Sequence, residues 1–217
     1  MRHTMKILLA DDHRMMREGL RALLEKDGLE VVGEAADGRE ALELTRTLRP
    51  DVVVMDISMP GLNGVDATRR ILAEVPACKV VALSMNTDRR YVRAMFEAGA
   101  AGYLVKNAAS RELVLAILAV WQGQKYVDTS IVGDVIDGWV GQPTAPSRSE
   151  RALSPREREV LQLLAEGRSS KEIAVQLEIA LPTVETHRRQ IMAKTGLRTI
   201  AALTKYAIRE GLTSAGS

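Results

Sequence analysis

The chain has 217 residues, which favours two domains over a single core. Hydrophobic residues make up 46% of it, aromatic residues only 3%, and the formal net charge is +2. Residues 1–141 carry 18 basic and 20 acidic side chains, whereas residues 142–217 carry 12 basic and 8 acidic ones. The basic second half indicates contact with a polyanion. No apolar run approaches the ~20 residues that span a bilayer, which argues against a membrane protein.

The cysteine content and the start of the chain point to one cellular compartment. Cys78 is the single cysteine, so no internal disulfide is possible, and a buried thiol in a reducing cytoplasm is the simplest interpretation. The first residues lead directly into an apolar strand pattern, without the apolar core and cleavage site of a secretory signal. We therefore expect a cytoplasmic protein.

Apolar runs alternate with helical patterns through the first half of the chain. Strands are predicted at 6–10, 31–32, 51–55, 80–83 and 101–105. Helices are predicted at 13–26, 37–48, 65–74, 88–98 and 109–121. Five alternating units with buried strands predict an α/β fold, a doubly wound five-stranded parallel sheet.

The second half of the chain contains helical patterns alone. Residues 141–149 are rich in Gly, Pro and Ser and predict a linker. Capping signals at Ser154 and Ser169 begin two helices, and two more are predicted at 182–195 and 199–209. The predicted organisation is an α/β domain at 1–124, a linker at 125–150 and an all-α four-helix domain at 151–217. Residues 126–140 are amphipathic and predict a helix between the domains.

Charged side chains follow three of the predicted strands. Asp11 and Asp12 come after the first, Asp56 after the third and Lys106 after the fifth. Because the carboxyl ends of parallel strands form one crevice, these side chains should converge. Asp12 and Asp56 would hold Mg²⁺, Asp11 would hold a metal-bound water, and Lys106 would meet a phosphoryl oxygen. The pattern predicts a site where Asp56 attacks a phosphoryl group.

Two serines extend this prediction, and each charged residue also has a purely structural alternative. The backbone carbonyl of Ser58 is a candidate metal ligand, and the hydroxyl of Ser84 could donate to a phosphoryl oxygen. Alternatively, Asp12 caps the following helix, Asp56 is a loop acid and Lys106 is a surface cation. Their joint occurrence at strand ends favours the phosphoryl site.

Residues 5–121 resemble the receiver domain of two-component response regulators. The resemblance rests on four segments: Ala10-Asp11-Asp12-His13, Met55-Asp56-Ile57-Ser58-Met59-Pro60-Gly61, Leu83-Ser84-Met85 and 98–106. It implies that Asp56 accepts phosphate from a histidine kinase and that Asp11 and Asp12 serve the metal. It also implies that Ser84 and Tyr103 form a switch pair, with Tyr103 half-buried at the sheet edge in the resting state. Many receivers have a cis proline after the lysine, where this chain has Asn107, so the geometry of that peptide stays open.

Residues 151–212 resemble the LuxR-type helix-turn-helix domain. The resemblance rests on Leu153-Ser154-Pro155-Arg156-Glu157, Gly167, Lys171-Glu172-Ile173-Ala174 and Thr183-Val184-Glu185-Thr186-His187-Arg188. With the receiver, it implies a NarL/FixJ-type response regulator. Relatives often have a capping Ser where Ala180 stands, so the third helix should lack a cap unless Thr183 replaces it.

The third helix of this domain is predicted to lie in the major groove of double-stranded DNA. Val184, Ile191 and His187 should face the domain core. Two sets of side chains are assigned to DNA. Base edges are assigned to Glu185, Thr186 and Arg189, and phosphates to Lys171, Thr183, Arg188 and Lys194.

These patterns predict a phosphorylation-dependent transcription regulator rather than an enzyme. The family mechanism implies a homodimer on paired half-sites, with helix 199–209 as the dimer element and RNA polymerase as a candidate partner. An Asp-nucleophile phosphohydrolase is one alternative, although such enzymes carry an Asp-x-Asp pattern after the first strand. A regulator whose receiver works without phosphate is the other.

Overall fold

The computed structural model describes residues 4–85, 87–107, 110–133 and 153–213. The chain forms two compact units, Met1–Gln142 and Pro143–Ser217. Among the described residues, no helix has both the length and the apolar character needed to cross a membrane.

The first unit is built on a parallel sheet. Its strands are β1 (Lys6–Ala10), β2 (Glu30–Ala35), β3 (Val52–Asp56), β4 (Lys79–Ser84), β5 (Gly102–Val105) and β6 (Tyr126–Val127). Their order in the sheet is β2-β1-β3-β4-β5-β6, and every neighbouring pair is parallel. The order reverses direction at β1, which places the ends of β1 and β3 beside the crevice where such sheets bind ligands.

Helices cover both faces of this sheet. They are α1 (Arg14–Lys26), α2 (Gly38–Leu48), α3 (Gly64–Glu74), α4 (Arg89–Glu97) and α5 (Ser110–Trp121). Leu8 and Ala10 of β1 pack in the core that α2, α3 and α4 cover, whereas Ile7 and Leu9 pack in the core under α1 and α5. Because both faces are buried, the strands are continuous apolar runs, and the doubly wound prediction is confirmed.

A sixth strand corrects the predicted strand number. Tyr126 and Val127 pair with Gly102 and Tyr103 of β5, where a helix had been predicted to begin. Ile131 is also buried in the core of this unit, so residues 126–131 pack on the receiver-like sheet instead of forming a linker from residue 125. The edge of β5 has free hydrogen-bonding groups, and pairing satisfies them. The predicted linker at 141–149 and the rest of the predicted helix, from residue 134, lie outside the described residues.

The second unit is all-α in its described part. Its helices are α6 (Pro155–Ala165), α7 (Ser170–Gln176), α8 (Leu181–Thr195) and α9 (Ile200–Arg209). They enclose an aliphatic core that includes Val160, Leu163, Ile173 and Leu203. This arrangement confirms the four-helix prediction for the second unit.

Local sequence signals explain where these helices begin. Ser154 with Glu157, and Ser169 with Glu172, form complete capping boxes at the starts of α6 and α7. Ala180 precedes α8 and provides no side-chain cap, so Thr183 does not replace the missing hydroxyl. The absence of that cap leaves the first turn of α8 less stable than a Ser would, by about 1 kcal/mol.

Candidate functional site

Three charged side chains meet at the carboxyl end of the sheet. Asp11 follows β1, Asp56 ends β3 and Lys106 follows β5. The Lys106 Nζ atom lies 2.6 Å from Asp11 Oδ2 and 2.6 Å from Asp56 Oδ2. The side chains of all three residues are at most 5% exposed. The convergence predicted from the strand ends is therefore present, and Lys106 is not a surface cation.

Asp12 and His13 complete the polar end of this crevice. One ligand atom from each of Asp11, Asp12, His13 and Asp56 lies within 4.8 Å of the others. His13 Nδ1 is 2.8 Å from Asp12 Oδ1, and His13 is the residue that precedes α1. The alternative that Asp12 caps α1 is therefore wrong. The sequence reasoning did not assign a role to His13, although its position next to two acids was a usable signal.

The charges in this pocket do not balance. Burial raises the pKa of Asp56, and the charge of Asp11 adds to this, while Lys106 opposes it. Burial acts to lower the pKa of Lys106, but the charges of Asp56 and Asp11 raise it above its usual value. Two buried carboxylates thus share one ammonium, which leaves a net negative pocket when all three groups are charged.

The oxygen atoms of this pocket fit a magnesium ion. Asp11 Oδ2 is buried and, apart from the Lys106 contact, has no hydrogen-bond partner in the described part of the chain. Carboxylate oxygens that face one another suit Mg²⁺, which prefers oxygen ligands. The Ser58 N–H donates to Asp56 Oδ1 at 3.3 Å, so the backbone of Ser58 lies at this site. Its carbonyl remains a predicted ligand.

Ser84 and Tyr103 lie side by side in the core beyond Lys106. Ser84 ends β4 and is buried, and its carbonyl accepts from the Lys106 N–H at 2.7 Å. Tyr103 is 0% exposed. The prediction of a half-buried tyrosine at the sheet edge is wrong, because β6 occupies the edge next to β5. Burial raises the pKa of Tyr103, while its hydrogen bond with Ser84 acts in the opposite direction.

Two backbone features near the site were not predicted. Gly64 begins α3 and donates its N–H to the Ile57 carbonyl at 2.9 Å. A Cβ atom at Gly64 would lie 2.0 Å from the carbonyl oxygen of Asp56, so only glycine fits there. The Lys106–Asn107 peptide, whose geometry had been left open, is not cis. The start of α3 thus supports the main chain that carries Asp56.

Helix α8 presents two different faces. Val184 and Ile191 are fully buried in the core of the second unit, as predicted. His187 is partly exposed, but its Nδ1 atom is buried and has no hydrogen-bond partner among the described residues. Thr186 and Arg189 are exposed. The exposed face therefore carries two of the three residues that were assigned to base edges, whereas Glu185 is partly buried.

Arg188 and Glu185 bind each other on this helix. Arg188 Nη1 lies 3.0 Å from Glu185 Oε1 and 2.8 Å from the hydroxyl oxygen of Ser170. A hydrogen bond from Ser170, and then the charge of Arg188, lower the pKa of Glu185. These contacts join the start of α7 to α8, so both charged groups have partners within the unit.

Lys194 also has an internal partner. Its ammonium lies 2.7 Å from Glu157 Oε2, and the Glu157 side chain is 3% exposed. Glu157 accepts from the Ser154 N–H in the capping box at the start of α6. Lys194 therefore ties the end of α8 to α6. Lys171 and Thr183, by contrast, are exposed.

Comparison with known proteins assigns both units to families. Residues 7–118 match the response regulator receiver domain, and residues 151–207 match the bacterial regulatory proteins of the luxR family. The chain is a response regulator. It belongs to the group that joins a receiver to a LuxR-type DNA-binding domain, the NarL/FixJ type, and its function is phosphorylation-dependent regulation of transcription.

Relatives match either nearly the whole of this chain or a part of it. The oxygen regulatory protein NreC of Staphylococcus epidermidis is 38% identical over 215 residues, which cover 96% of this chain and 99% of that protein. A LuxR-family response regulator from Aurantimonas is 40% identical, with a TM-score of 0.61 over 63% of this chain and 99% of that chain. RcsB structures include a DNA complex and two dimers on two parallel DNAs. These RcsB chains are 28% identical, with a TM-score of 0.59 over 96% of this chain and 99% of theirs.

Proposed function

We propose that Asp56 is the phosphoacceptor of this response regulator and that a sensor histidine kinase supplies the phosphate. The observation that carries this proposal is the buried position of Asp56, whose carboxylate is bridged to that of Asp11 by the Lys106 ammonium. A carboxylate oxygen of Asp56 forms the new bond to phosphorus, and the bond from phosphorus to the kinase imidazole breaks. The same acids in a phosphohydrolase would turn over a substrate, but the family match favours a regulator.

Asp11, Asp12 and Asp56 would hold Mg²⁺, with the Ser58 carbonyl as a further ligand. A bound ion would neutralise the negative charge of the phosphoryl oxygens next to the attacking carboxylate. Lys106 now contacts Asp56, and it is placed to transfer its contact to a phosphoryl oxygen. Ser84, at the end of the neighbouring strand, supplies a hydroxyl donor, and Tyr103 shares a hydrogen bond with it. When Ser84 turns to the phosphoryl group, that hydrogen bond is lost and Tyr103 is free to reorient.

Phosphate uptake from a small acyl-phosphate donor tests this assignment. With Mg²⁺ present, intact mass should show one phosphate on the native chain and none on Asp56→Asn. Asp51→Asn is the matched control, because Asp51 immediately precedes the same strand at its opposite end and its carboxylate accepts from the Lys6 N–H. Chelation of Mg²⁺ should abolish uptake. Uptake by Asp56→Asn, or none by the native chain, would favour a receiver that works without Asp56 phosphate.

The second unit is proposed to bind double-stranded DNA through α8. Arg189 and Thr186, exposed on that helix, would contact base edges, with Glu185 beside them. Thr183 and Lys171 would contact phosphates, whereas Arg188 and Lys194 have partners inside the unit. Arg189→Ala should reduce the discrimination between base pairs at one position of the DNA site by about 1–3 kcal/mol of binding free energy. Lys171→Ala should weaken binding to all DNA sequences alike. Equal effects of the two changes on sequence preference would refute these roles.

A homodimer on paired half-sites follows from the RcsB dimers on DNA as a proposal for this chain. Helix α9 is the proposed dimer element of the second unit, since Ile200 is 44% exposed at its start. A cytoplasmic location and contact with RNA polymerase fit a transcription regulator. Light scattering with and without acyl phosphate tests the dimer. An unchanged mass in the phosphorylated state would count against it.

A further inference from the structure

Asp128 is a buried carboxylate, 4% exposed, that the phosphoryl site does not use. Its Oδ2 atom accepts from the Val105 N–H at 3.0 Å. Its Oδ1 atom accepts from the N–H of Ser130 at 2.9 Å and from the hydroxyl of Ser130 at 2.6 Å. Its own N–H donates to the Tyr103 carbonyl at 2.9 Å. One residue is thus bonded to two positions on the same edge of β5.

The hydrogen bond from the Val105 N–H to Asp128 takes the place of a bond that a longer β6 would have accepted. Strand β6 ends at Val127, opposite Tyr103, so it offers no further carbonyl to the last residue of β5. The Asp128 carboxylate supplies that acceptor. On the other side, the Lys106 N–H donates to the Ser84 carbonyl at 2.7 Å. The chain from which Lys106 extends is therefore held from both sides.

The same residue begins the turn that leads out of the sheet. The Ile131 N–H donates to the Asp128 carbonyl at 3.1 Å. Ile131 is 1% exposed and lies in the core cluster that contains Tyr103 and Val105. The turn at residues 128–131 is thus anchored to β5 at the residue that precedes Lys106.

We propose that Asp128 is a positioning residue that fixes Lys106, through the backbone of Val105, for phosphoryl transfer to Asp56. This inference rests on the proposed function, because Lys106 must meet the phosphoryl group. Without the Asp128 acceptor, the Val105 N–H is buried without its partner and the end of β5 is free to shift. Lys106 then spends less time in the geometry that the reaction needs.

Two variants of the full-length chain separate this role from simple stability. Asp128→Ser keeps a hydroxyl that can accept from the Ser130 N–H, but it is too short to reach Val105. Ser130→Ala removes a bond from the same carboxylate and leaves the Val105 bond in place. Each variant is incubated with Mg²⁺ and a small acyl phosphate, and the rate of phosphate uptake is read by intact mass. Magnesium affinity is measured by calorimetry.

Asp128→Ser should take up phosphate more slowly by roughly threefold to tenfold, the factor that loss of one hydrogen bond implies. Ser130→Ala should match the native rate. Magnesium affinity should not fall in either variant, because Asp128 does not contact the acidic cluster and a displaced Lys106 ammonium would only remove positive charge from it, whereas a general loss of structure would lower the affinity. Equal rates in Asp128→Ser and the native chain, or an equal fall in Ser130→Ala, would overturn the inference.

Failure of the proposed function is distinguishable. A native chain that takes up no phosphate removes the reaction that Asp128 would assist, and both ideas fall together. A native chain that reacts while Asp128→Ser reacts equally well refutes only the inference. If Asp128→Ser lacks a cooperative melting transition, Asp128→Thr replaces it, since its hydroxyl can also accept from the Ser130 N–H and is also too short to reach Val105. A native uptake rate in Asp128→Thr would then overturn the inference.

Discussion

Replacement of Gly64 by Ala should damage both the fold and the site. The new Cβ would lie 2.0 Å from the Asp56 carbonyl oxygen, whereas a carbon–oxygen contact needs about 3.3 Å. Because the obstructing atom is backbone, α3 and the end of β3 must separate by about 1.3 Å. We expect a loss of about 3 kcal/mol, at the upper end for overpacking. That corresponds to a melting temperature about 10 °C lower.

Gly19→Ala is the matched control for this change. Gly19 lies inside α1, and no neighbouring heavy atom comes within 4 Å of the position that an alanine Cβ would take there. Alanine there should stabilise the helix by about 0.5–1 kcal/mol. Circular dichroism melting and phosphate uptake are measured for both variants. Uptake by Gly64→Ala should fall about a hundredfold, since a shift of ~1 Å has that effect on a reacting group. A Gly64→Ala protein that melts and reacts like the native chain would refute the reasoning.

Two further changes test the electrostatics of the two units. Burial raises the pKa of Asp56, so the folded state holds this proton more tightly than the unfolded state, and stability falls as pH rises above about 4. Asp56→Asn should therefore raise the melting temperature at pH 7 and lose this advantage near pH 4; an equal gain at both would contradict the burial argument. Lys194→Met removes the partner of buried Glu157 and should destabilise the second unit by about 1–3 kcal/mol in urea denaturation. Burial opposes ionisation of Glu157, but its bonds to Lys194 and Ser154 lower its pKa, so the effect should shrink as Glu157 is protonated in acid. A pH-independent loss would point to packing.

Hydrophobic pattern and capping chemistry were enough to predict most of the fold. The apolar runs that end at Asp11, Asp56 and Lys106 are strands with both faces buried, and that burial is why they read clearly in the sequence. The convergence of these charges could also be predicted from the sequence, because parallel strands place their carboxyl ends together. The prediction succeeded where a local pattern and a general rule of topology were sufficient.

Strand β6 shows where local pattern fails. Two residues, Tyr126 and Val127, are too few to reveal a period of two, and the amphipathic stretch after them favoured a helix. What makes them a strand is the open edge of β5, which is a tertiary feature. The wrong expectation for Tyr103 has the same origin, since a tyrosine on β5 is at the edge only if no strand follows.

The recognition helix illustrates a different difficulty, because charge counted along a sequence is not charge offered to DNA. Two of the cations assigned to phosphates, Arg188 and Lys194, hold Glu185 and Glu157 within the unit. Each phosphate contact adds about 0.9 to the salt dependence of binding. The slope of binding against salt should therefore reflect exposed phosphate-contacting groups such as Lys171 rather than every basic residue of the domain. The internal pairs contribute to the structure of the unit before DNA binds, because they set the orientation of α8 on α6 and α7. That orientation decides which side chains reach a base.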